Sequence, residues 1–592
     1  MTALPHIFSQ ISVAINRRDI KTAEKLLNSI EKTYKNDPNF LFEKGMIENL
    51  KGSNQTQVVL PLFEKAYNSG LQNDLNFLRV YGALLAELER FSTAAEIIGK
   101  IVMTKKDDIE AFINLAHVFE KTGNPITAIN TLKMALKVNP NHHCIPSLYC
   151  NMASALMEGG YQEEAFESYK KAIEYDSKNI LFASNFLFSF NYVDISRQEQ
   201  FEYYQKYRTL WENEIPNARP SFPDTEKIKI GFVSGDLYMH AVSFFISSLF
   251  ECYDRSRFEI HLFARVKKFD GVSQQFKDLT DKWHDITLMN FRDVAKIVKK
   301  EKITVLVDLS GHTGKNCLTL FGMRPAPLQV TYCGYPNTTG LKSIDYRISD
   351  NICEPEDAQN FHSEKLFKIS DCFLCYQPHF TQTSPCKFES LQGRPVIFGS
   401  FNNLQKMTKR TIKLWCKVVN AVPDSKLVIK HRYLNDPKLR QITLSRFAEN
   451  GLPAERITIF DFNFENKDHF EQYNKIDIAL DSFPYNGTTT TCEALFMGVP
   501  VITILGDRHC SRVSASLLNA VGLGELAAKN EEEFVKIAAD LAKDVEKLTK
   551  IKQNLRENMQ KSPLMNKEYF TQRWQNAILD MIAEVKKERE NA

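Results

Sequence analysis

The chain has 592 residues, too many for one hydrophobic core, so several domains are expected. With 43% hydrophobic and 25% charged residues, the composition is that of an ordinary globular protein and excludes a disordered or fibrous one. Lys and Arg number 75 against 72 Asp and Glu, a formal charge of +3, which excludes a global field that would gather nucleic acid or an anionic membrane.

The opening run MTALPHIFSQ lacks the basic-then-apolar pattern of a signal peptide, and the apolar stretch near Ile180 to Val193 is interrupted by Ser and Asn. No membrane span is predicted. Small residues then recur at a period of about 34 through the first third of the chain. The clearest unit runs from Ile109 to His142, with Leu115, Ala116, Gly123, Ala128, Ala135 and Pro140 at the offsets of a tetratricopeptide helix-turn-helix. Ala and Gly there let two helices approach closely, Gly ends the first helix and Pro follows the second. A second unit carries Met152, Ala153, Gly160, Ala165 and Ala172, and an earlier one carries Gly82 and Ala94. The segments around Ala23 and Ala66 read as degenerate units, and Ile180 to Glu214 as a capping helical segment rich in Phe and Tyr. About five or six helix pairs are expected, stacked into a superhelix whose concave face is a groove for extended peptide.

Three prolines within Glu214 to Pro223 forbid continuous helix and mark a domain boundary. Beyond it, short β-rich runs alternate with helical stretches: Ile228 to Ser234, Phe258 to Phe263, Ile303 to Asp308 and Leu328 to Tyr332. A polar interval from Gln377 to Arg394 precedes a second such series beginning at Val396, Leu427, Ile457, Ile476 and Val499. This alternation predicts two doubly wound α/β lobes with a cleft between them, in which ligands bind beyond the carboxyl ends of the strands. The expected domains are 1–215, 216–385 and 386–592.

The sharpest motif is Asp481 to Glu493, where a strand turns into a helix through Asn486, Gly487 and four threonines. Thr488, Thr489 and Thr490 would crowd hydroxyls and N–H groups at a helix start, which favours a phosphate, and Glu493 would accept from a ribose diol. The plainer reading is a Thr-capped helix. In the run Ser400 to Lys406, Asn403 and Lys406 lie three apart and can face one ligand, so that Lys406 neutralises a diphosphate as a point charge. A solvated surface lysine is the alternative. In the first lobe, Asp236 and His240 follow the Ile228 strand and His312 follows the Ile303 strand. A histidine past a strand end can act as a general base or bind a sugar hydroxyl, although a lone histidine is more often structural. The loop from Gly334 to Gly340, beginning Gly334, Tyr335, Pro336, permits close approach of backbone to ligand, or is a plain turn.

No phosphate-binding P-loop, zinc-protease helix motif or nucleophile elbow occurs, and no Asp pair of the kind that holds a catalytic divalent ion. No metal or other cofactor is expected. Cys372 and Cys375 have no second pair at zinc spacing. Twelve cysteines without framework spacing read as thiols of a reducing compartment, which predicts a cytoplasmic protein.

Taken together, the repeats, Gly334-Tyr335-Pro336, Asn402 to Lys406 and the Asn486 to Thr491 stretch resemble the O-GlcNAc transferase and SPINDLY family over nearly the whole chain. The resemblance implies a two-lobed GT-B glycosyltransferase, inverting and metal-independent, that transfers GlcNAc from UDP-GlcNAc to Ser or Thr of intracellular proteins held along the repeat groove. It further implies that Lys406 contacts the nucleotide-sugar phosphates, with Asn403 at a polar position on the phosphate or uridine side. Thr489 and Thr490 resemble the helix-start threonines, Glu493 the ribose contact, His469 a histidine at the nucleoside, and His240 the first-lobe catalytic histidine. Thr488 stands where the animal enzyme has a histidine, Glu493 replaces an aspartate, and a long insertion between the lobes is absent. The runs Phe483 to Tyr485, Asn337 to Gly340 and Asp371 to Tyr376 look closer to SPINDLY, whose plant members use GDP-fucose. Runs from Ser511 and Ser562 look closer to the O-GlcNAc branch. The resemblance therefore places UDP-GlcNAc ahead of GDP-fucose. Transfer to Asn and a non-catalytic scaffold that senses nucleotide sugar are the remaining readings.

Overall fold

The computed structural model describes residues 4–212, 219–379, 390–461 and 466–590 and divides into two compact units, Met1–Leu156 and Met157–Ala592. The first unit is helical throughout. It contains α1 (Leu4–Asn16), α2 (Ile20–Tyr34), α3 (Pro38–Leu50), α4 (Leu60–Ala66), α5 (Leu75–Glu87), α6 (Phe91–Thr104), α7 (Ile109–Lys121), α8 (Pro125–Val138) and most of α9 (Ile145–Glu158). Asp19, Asp37, Asp74 and Asp108 cap α2, α3, α5 and α7 by accepting first-turn N–H groups. The small residues sit where the period demands. Ala23, Ala66, Ala94, Ala128 and Ala135 are fully buried, and a Cβ added to Gly82 would lie 2.7 Å from Ile98 Cγ1, so α5 and α6 touch only because residue 82 has none. The repeat around Ala66 reads as degenerate because α4 is short and flanked by wide helical turns at Gln55–Val59 and Tyr67–Leu71.

The second unit opens with α10 (Gln162–Tyr175), α11 (Ile180–Ser189) and α12 (Arg197–Tyr207). The compact division thus falls at 156/157, not at the expected 215/216. The reason is polar as well as apolar: Gln162 donates to the Gln405 carbonyl at 2.8 Å, Asn337 donates to Gln200 at 3.0 Å, and the Tyr204 and Tyr335 hydroxyls bond. These helices are part of the α/β unit. Of the proline-bearing interval, residues 213–218 lie outside the described residues, as do 380–389 of the expected inter-lobe interval.

Two parallel sheets complete the unit. The first orders β1 (Ile228–Ser234), β2 (Phe258–Ala264), β3 (Lys282–Asp285), β4 (Val305–Asp308), β5 (Leu328–Thr331), β6 (Tyr346–Asp350) and β7 (Lys365–Ile369) as β3-β2-β1-β4-β5-β6-β7. It is flanked by α13 (Ser243–Glu251), α14 (Gly271–Leu279), α15 (Phe291–Lys300) and α16 (Leu318–Gly322). The second sheet contains β8 (Ile397–Ser400), β9 (Lys426–Lys430), β10 (Ile457–Phe460), β11 (Ile478–Leu480), β12 (Val501–Ile504) and β13 (Ala527–Ala528), ordered β10-β9-β8-β11-β12-β13. Its helices are α17 (Lys409–Ala421), α18 (Pro437–Glu449), α19 (Asn466–Tyr473), α20 (Thr489–Phe496), α21 (Val513–Ala520), α22 (Glu531–Lys543) and α23 (Val545–Lys561). In both sheets the strand order reverses beside the first strand, between β1 and β4 and between β8 and β11. Loops leaving these four strand ends diverge to opposite faces and open a crevice.

The last helix, α24 (Lys567–Glu590), departs from the expected 386–592 lobe. It returns to the first sheet. Phe570, Trp574, Ile578, Met581 and Val585 form its buried stripe, Trp574 stacks on Phe232 of β1 with centroids 5.5 Å apart, and Thr571 donates to the Ser248 carbonyl at 3.0 Å. No helix among the described residues is long and apolar enough to cross a membrane.

Candidate functional site

A cleft of about 580 Å³ opens at the carboxyl ends of both sheets. Its first-lobe wall comes from three loops. After β1 stand Asp236, Tyr238 and His240, after β4 Thr313, Gly314 and Lys315, and after β5 Cys333 and Gly334. His240 Nδ1 accepts the Val242 N–H at 3.3 Å and lies 3.9 Å from Asp236 Oδ2. Burial pushes the imidazole down and the Asp236 carboxyl up, while their mutual attraction opposes both shifts. With Nδ1 accepting, a neutral His240 carries its proton on Nε2.

Three expected loop residues do not reach the cleft. His312 is 1% exposed, with Nε2 at 2.8 Å from the Thr339 carbonyl and Nδ1 at 3.2 Å from the Ser184 hydroxyl. Burial pushes its pKa down to about 4, so it is a neutral structural histidine and not a sugar contact. Tyr335 is buried against Tyr204 and His312, and Pro336 is buried beside it. The expectation for these three is corrected: their loops are at the site, but the side chains fasten those loops to α11 and α12. Gly334 does line the cleft, and for a backbone reason. A Cβ there would fall inside the Leu309 carbonyl, so the loops after β4 and β5 pack backbone to backbone. Gly334→Ala is expected to destabilise the second unit by about 3 kcal/mol or more, seen as a lowered apparent melting temperature with an otherwise unchanged first unit.

The second-lobe wall brings Asn402, Asn403, Gln405 and Lys406 against Tyr485, Thr488, Thr489 and Thr490. The turn carrying Lys406 is a 3-10 helix, Leu404–Lys406, and the α-helix begins only at Lys409, where the Thr408 hydroxyl caps it. Lys406 Nζ lies 3.8 Å from the Tyr485 ring centroid and donates to the Asn486 carbonyl at 2.6 Å. Burial pushes its pKa down to about 8, against the pull of Asp481. Asp481 is the hub of the strand-to-helix turn. Its Oδ1 accepts the N–H groups of Ser482 and Gly487 at 2.8 and 2.7 Å and the Asn402 amide at 3.3 Å, and its Oδ2 accepts the Thr503 hydroxyl at 2.7 Å. Gly487 is buried, and Thr490 donates to Asn402 at 2.7 Å. No side chain caps the start of α20, so the Thr-cap reading does not hold, and Thr488, Thr489 and Thr490 at that start line the cleft.

An adjoining pocket of about 290 Å³ is lined by Phe401, Asn403, Lys430, His431, Arg432 and His469. His469 links its two sides: Nδ1 lies 2.9 Å from Lys430 Nζ, and Nε2 lies 3.0 Å from Glu493 Oε2, which also accepts the Tyr473 hydroxyl at 3.1 Å. Sequence reading missed Phe401, Lys430 and Arg432, as well as Tyr238, Lys315 and Tyr485. The position of Lys430 at the end of β9 was a usable signal, since β9 neighbours β8. It also missed Phe188 and Tyr192, which reach the cleft from α11 and the short 3-10 turn after it. Cys372 and Cys375 are buried free thiols and belong to no His/Cys/Asp/Glu ligand cluster among the described residues.

The model of glycosyl transferase family 41 matches residues 203–382 and 382–574, which carry both sheets and the loops that line the cleft after β1, β4, β5, β8 and β11. The chain belongs to glycosyl transferase family 41. Tetratricopeptide repeats are matched at 109–142 and 146–179, so this family 41 protein joins helical repeats to a two-lobed GT-B-like module. It is 39% identical over 426 residues to the probable UDP-N-acetylglucosamine–peptide N-acetylglucosaminyltransferase SPINDLY of Oryza sativa subsp. japonica, covering 70% of this chain and 46% of that one. The Arabidopsis thaliana SPINDLY protein is 40% identical over 63% of this chain and 40% of its own, and the Arabidopsis protein named SEC is 30% identical over 59% of this chain and 36% of its own. The chain therefore spans under half the length of these curated relatives. Among solved structures, a mutant of the Thermobaculum terrenum O-GlcNAc transferase superposes with a TM-score of 0.79 at 27% identity, covering 86% of this chain and 98% of that one.

Proposed function

We propose that this family 41 protein is a protein O-glycosyltransferase that uses a nucleotide sugar, inverts the anomeric carbon and needs no metal. The observation that carries this reading is the convergence, at the switch point of the second sheet and across the cleft from the first-lobe loops, of the Lys406 ammonium and the uncapped start of α20. Together they supply the positive charge and N–H donors that a departing nucleoside diphosphate requires. The pocket of Phe401, Lys430 and His469 takes the nucleoside, with Glu493 accepting from the ribose hydroxyls.

In the proposed reaction a protein Ser or Thr hydroxyl attacks the anomeric carbon while the bond to the diphosphate oxygen breaks in line, and the hydroxyl proton passes to the departing diphosphate. Lys406 and α20 receive the charge that develops on that oxygen. His240, neutral and protonated at Nε2, fits a hydrogen-bond donor to a sugar or acceptor oxygen better than a general base. Acceptor proteins are taken from the repeats. The donor is proposed to be UDP-GlcNAc, in keeping with the relatives' names. GDP-fucose is the second reading, because the SPINDLY proteins are more similar to this chain than SEC is.

The deciding experiment is calorimetric titration of the purified chain with UDP and GDP in EDTA, followed by mass spectrometry of a peptide acceptor incubated with each nucleotide sugar. UDP preference and a HexNAc adduct on Ser or Thr support the proposal, whereas GDP preference with a deoxyhexose adduct replaces the donor. A folded chain that binds neither nucleotide overturns the enzyme reading in favour of a scaffold.

Lys406 makes this binding pH-dependent. In the ligand-free protein it loses its proton above about pH 8, whereas a bound diphosphate holds the proton in place. Diphosphate affinity is therefore expected to be flat near neutrality and to fall as pH rises through about 8, approaching about tenfold per pH unit. Titrations between about pH 7 and pH 9 measure the slope, and Lys406→Ala should abolish it.

A further inference from the structure

The loop between α8 and α9 reads Asn139-Pro140-Asn141-His142-His143-Cys144, and its last three side chains gather against the start of α7. Their ligand atoms lie within 4.8 Å of one another, with the two imidazole rings 4.2 Å apart. Glu110, the second residue of α7, completes the group: its Oε1 lies 3.7 Å from His143 Nε2 and 3.8 Å from Cys144 Sγ. Four ligands around a tetrahedral zinc ion stand about 3.3 to 3.6 Å apart, given Zn–N and Zn–S lengths of roughly 2.0 and 2.3 Å. The observed separations need only small side-chain rotations to meet this.

We infer that Glu110, His142, His143 and Cys144 form a binding site for a thiophilic divalent cation, zinc by the chemistry of its ligands. One thiolate, two imidazoles and one carboxylate are a borderline-soft set that suits zinc and leaves no role for magnesium or calcium. Without a cation, the Cys144 thiol donates to the Glu110 carboxylate, and a bound dication would take the place of that proton. The other Glu110 oxygen lies 3.8 Å from Arg79, which is held by Asp108, so the carboxylate is aimed from behind. His142 Nδ1 accepts the Cys144 N–H at 3.2 Å and exchanges that contact for the metal.

Glu110 stands in the first turn of α7 and Cys144 immediately before α9, so the group links the N-terminal ends of the first helices of two successive repeats. A bound ion ties those ends together and restrains the spacing of neighbouring repeats. The site is remote in sequence from every cleft residue and is independent of the metal-free catalysis proposed for the second unit.

The test uses the full chain, stripped with EDTA and titrated with Co²⁺ and then Zn²⁺. One Co²⁺ per chain with tetrahedral d–d bands and a thiolate charge-transfer band, displaced by Zn²⁺, is expected. Cys144→Ser should remove the charge-transfer band, and Glu110→Gln should weaken zinc binding by about tenfold or more. Zinc should raise the melting temperature of the unsubstituted chain but not of Cys144→Ser. No stoichiometric uptake, or a charge-transfer band that persists in Cys144→Ser, overturns the proposal. Cys144 and Glu110 are not buried, so both variants are expected to fold, and far-ultraviolet circular dichroism checks this.

Discussion

Lys406→Ala is expected to lower sugar transfer by about 10²- to 10³-fold while leaving the protein folded. The ammonium sits over Tyr485 at 3.8 Å and holds only the Asn486 carbonyl, so truncation removes little packing. What it removes is, among the described residues, the one lysine or arginine lining the cleft from the second lobe, with Lys315 the lysine of the facing wall. The effect should fall mainly on turnover, because charge on the leaving diphosphate develops in the transition state. Lys406→Arg should not restore the rate, since a planar guanidinium spreads its charge over a fork and does not place it at the ammonium's point. Steady-state kinetics with a peptide acceptor measures the split between kcat and KM, and an unchanged kcat in Lys406→Ala would remove the lysine from the proposed chemistry.

Asp481→Ala is expected to be the more damaging change for the second lobe's stability. The carboxylate receives four donors, two of them backbone N–H groups of the strand-to-helix turn. Each buried donor left without a partner costs about 1–3 kcal/mol, and partial relaxation brings the expected total to about 3–5 kcal/mol. The same loss frees Gly487, Asn402 and through Asn402 the Thr490 hydroxyl, so diphosphate binding should weaken together with the melting temperature. Asp481→Asn keeps the shape and the three contacts at Oδ1, and the Thr503 hydroxyl can turn to accept from the new amide, so it should cost clearly less. Thermal melts of both variants with and without UDP or GDP test this. Equal melting temperatures for Asp481→Ala and the unsubstituted chain would contradict the hub role.

The repeats and most of both sheets were legible because their signals are short-range. A small residue every 34 positions, an alternation of β-rich and helical runs, and a threonine cluster after a strand report local geometry directly. The strands that escaped notice are β3, β6, β7 and β13. β3 and β7 carry lysines near the sheet edge, β13 has two residues, and β6 hides buried Arg347 and Asp350, whose partners come from other loops. Their sequences lack the apolar run that marks a central strand.

The composition of the cleft depended on long-range placement. Chain order put His312 and Lys315 in one loop, but the packing of α11 and α12 buries the first and leaves the second facing the cleft. The same packing carries Phe188 and Tyr192, from a segment that reads as a mere helical cap, into the site. The pairing of β9 beside β8 sets Lys430 against His469 and Glu493, residues 39 and 63 positions away. Local pattern specifies where a strand ends and which residues leave it. Which loops then meet is settled by strand order and by the helices that seal each sheet, because burial and hydrogen bonding are satisfied across the whole unit at once.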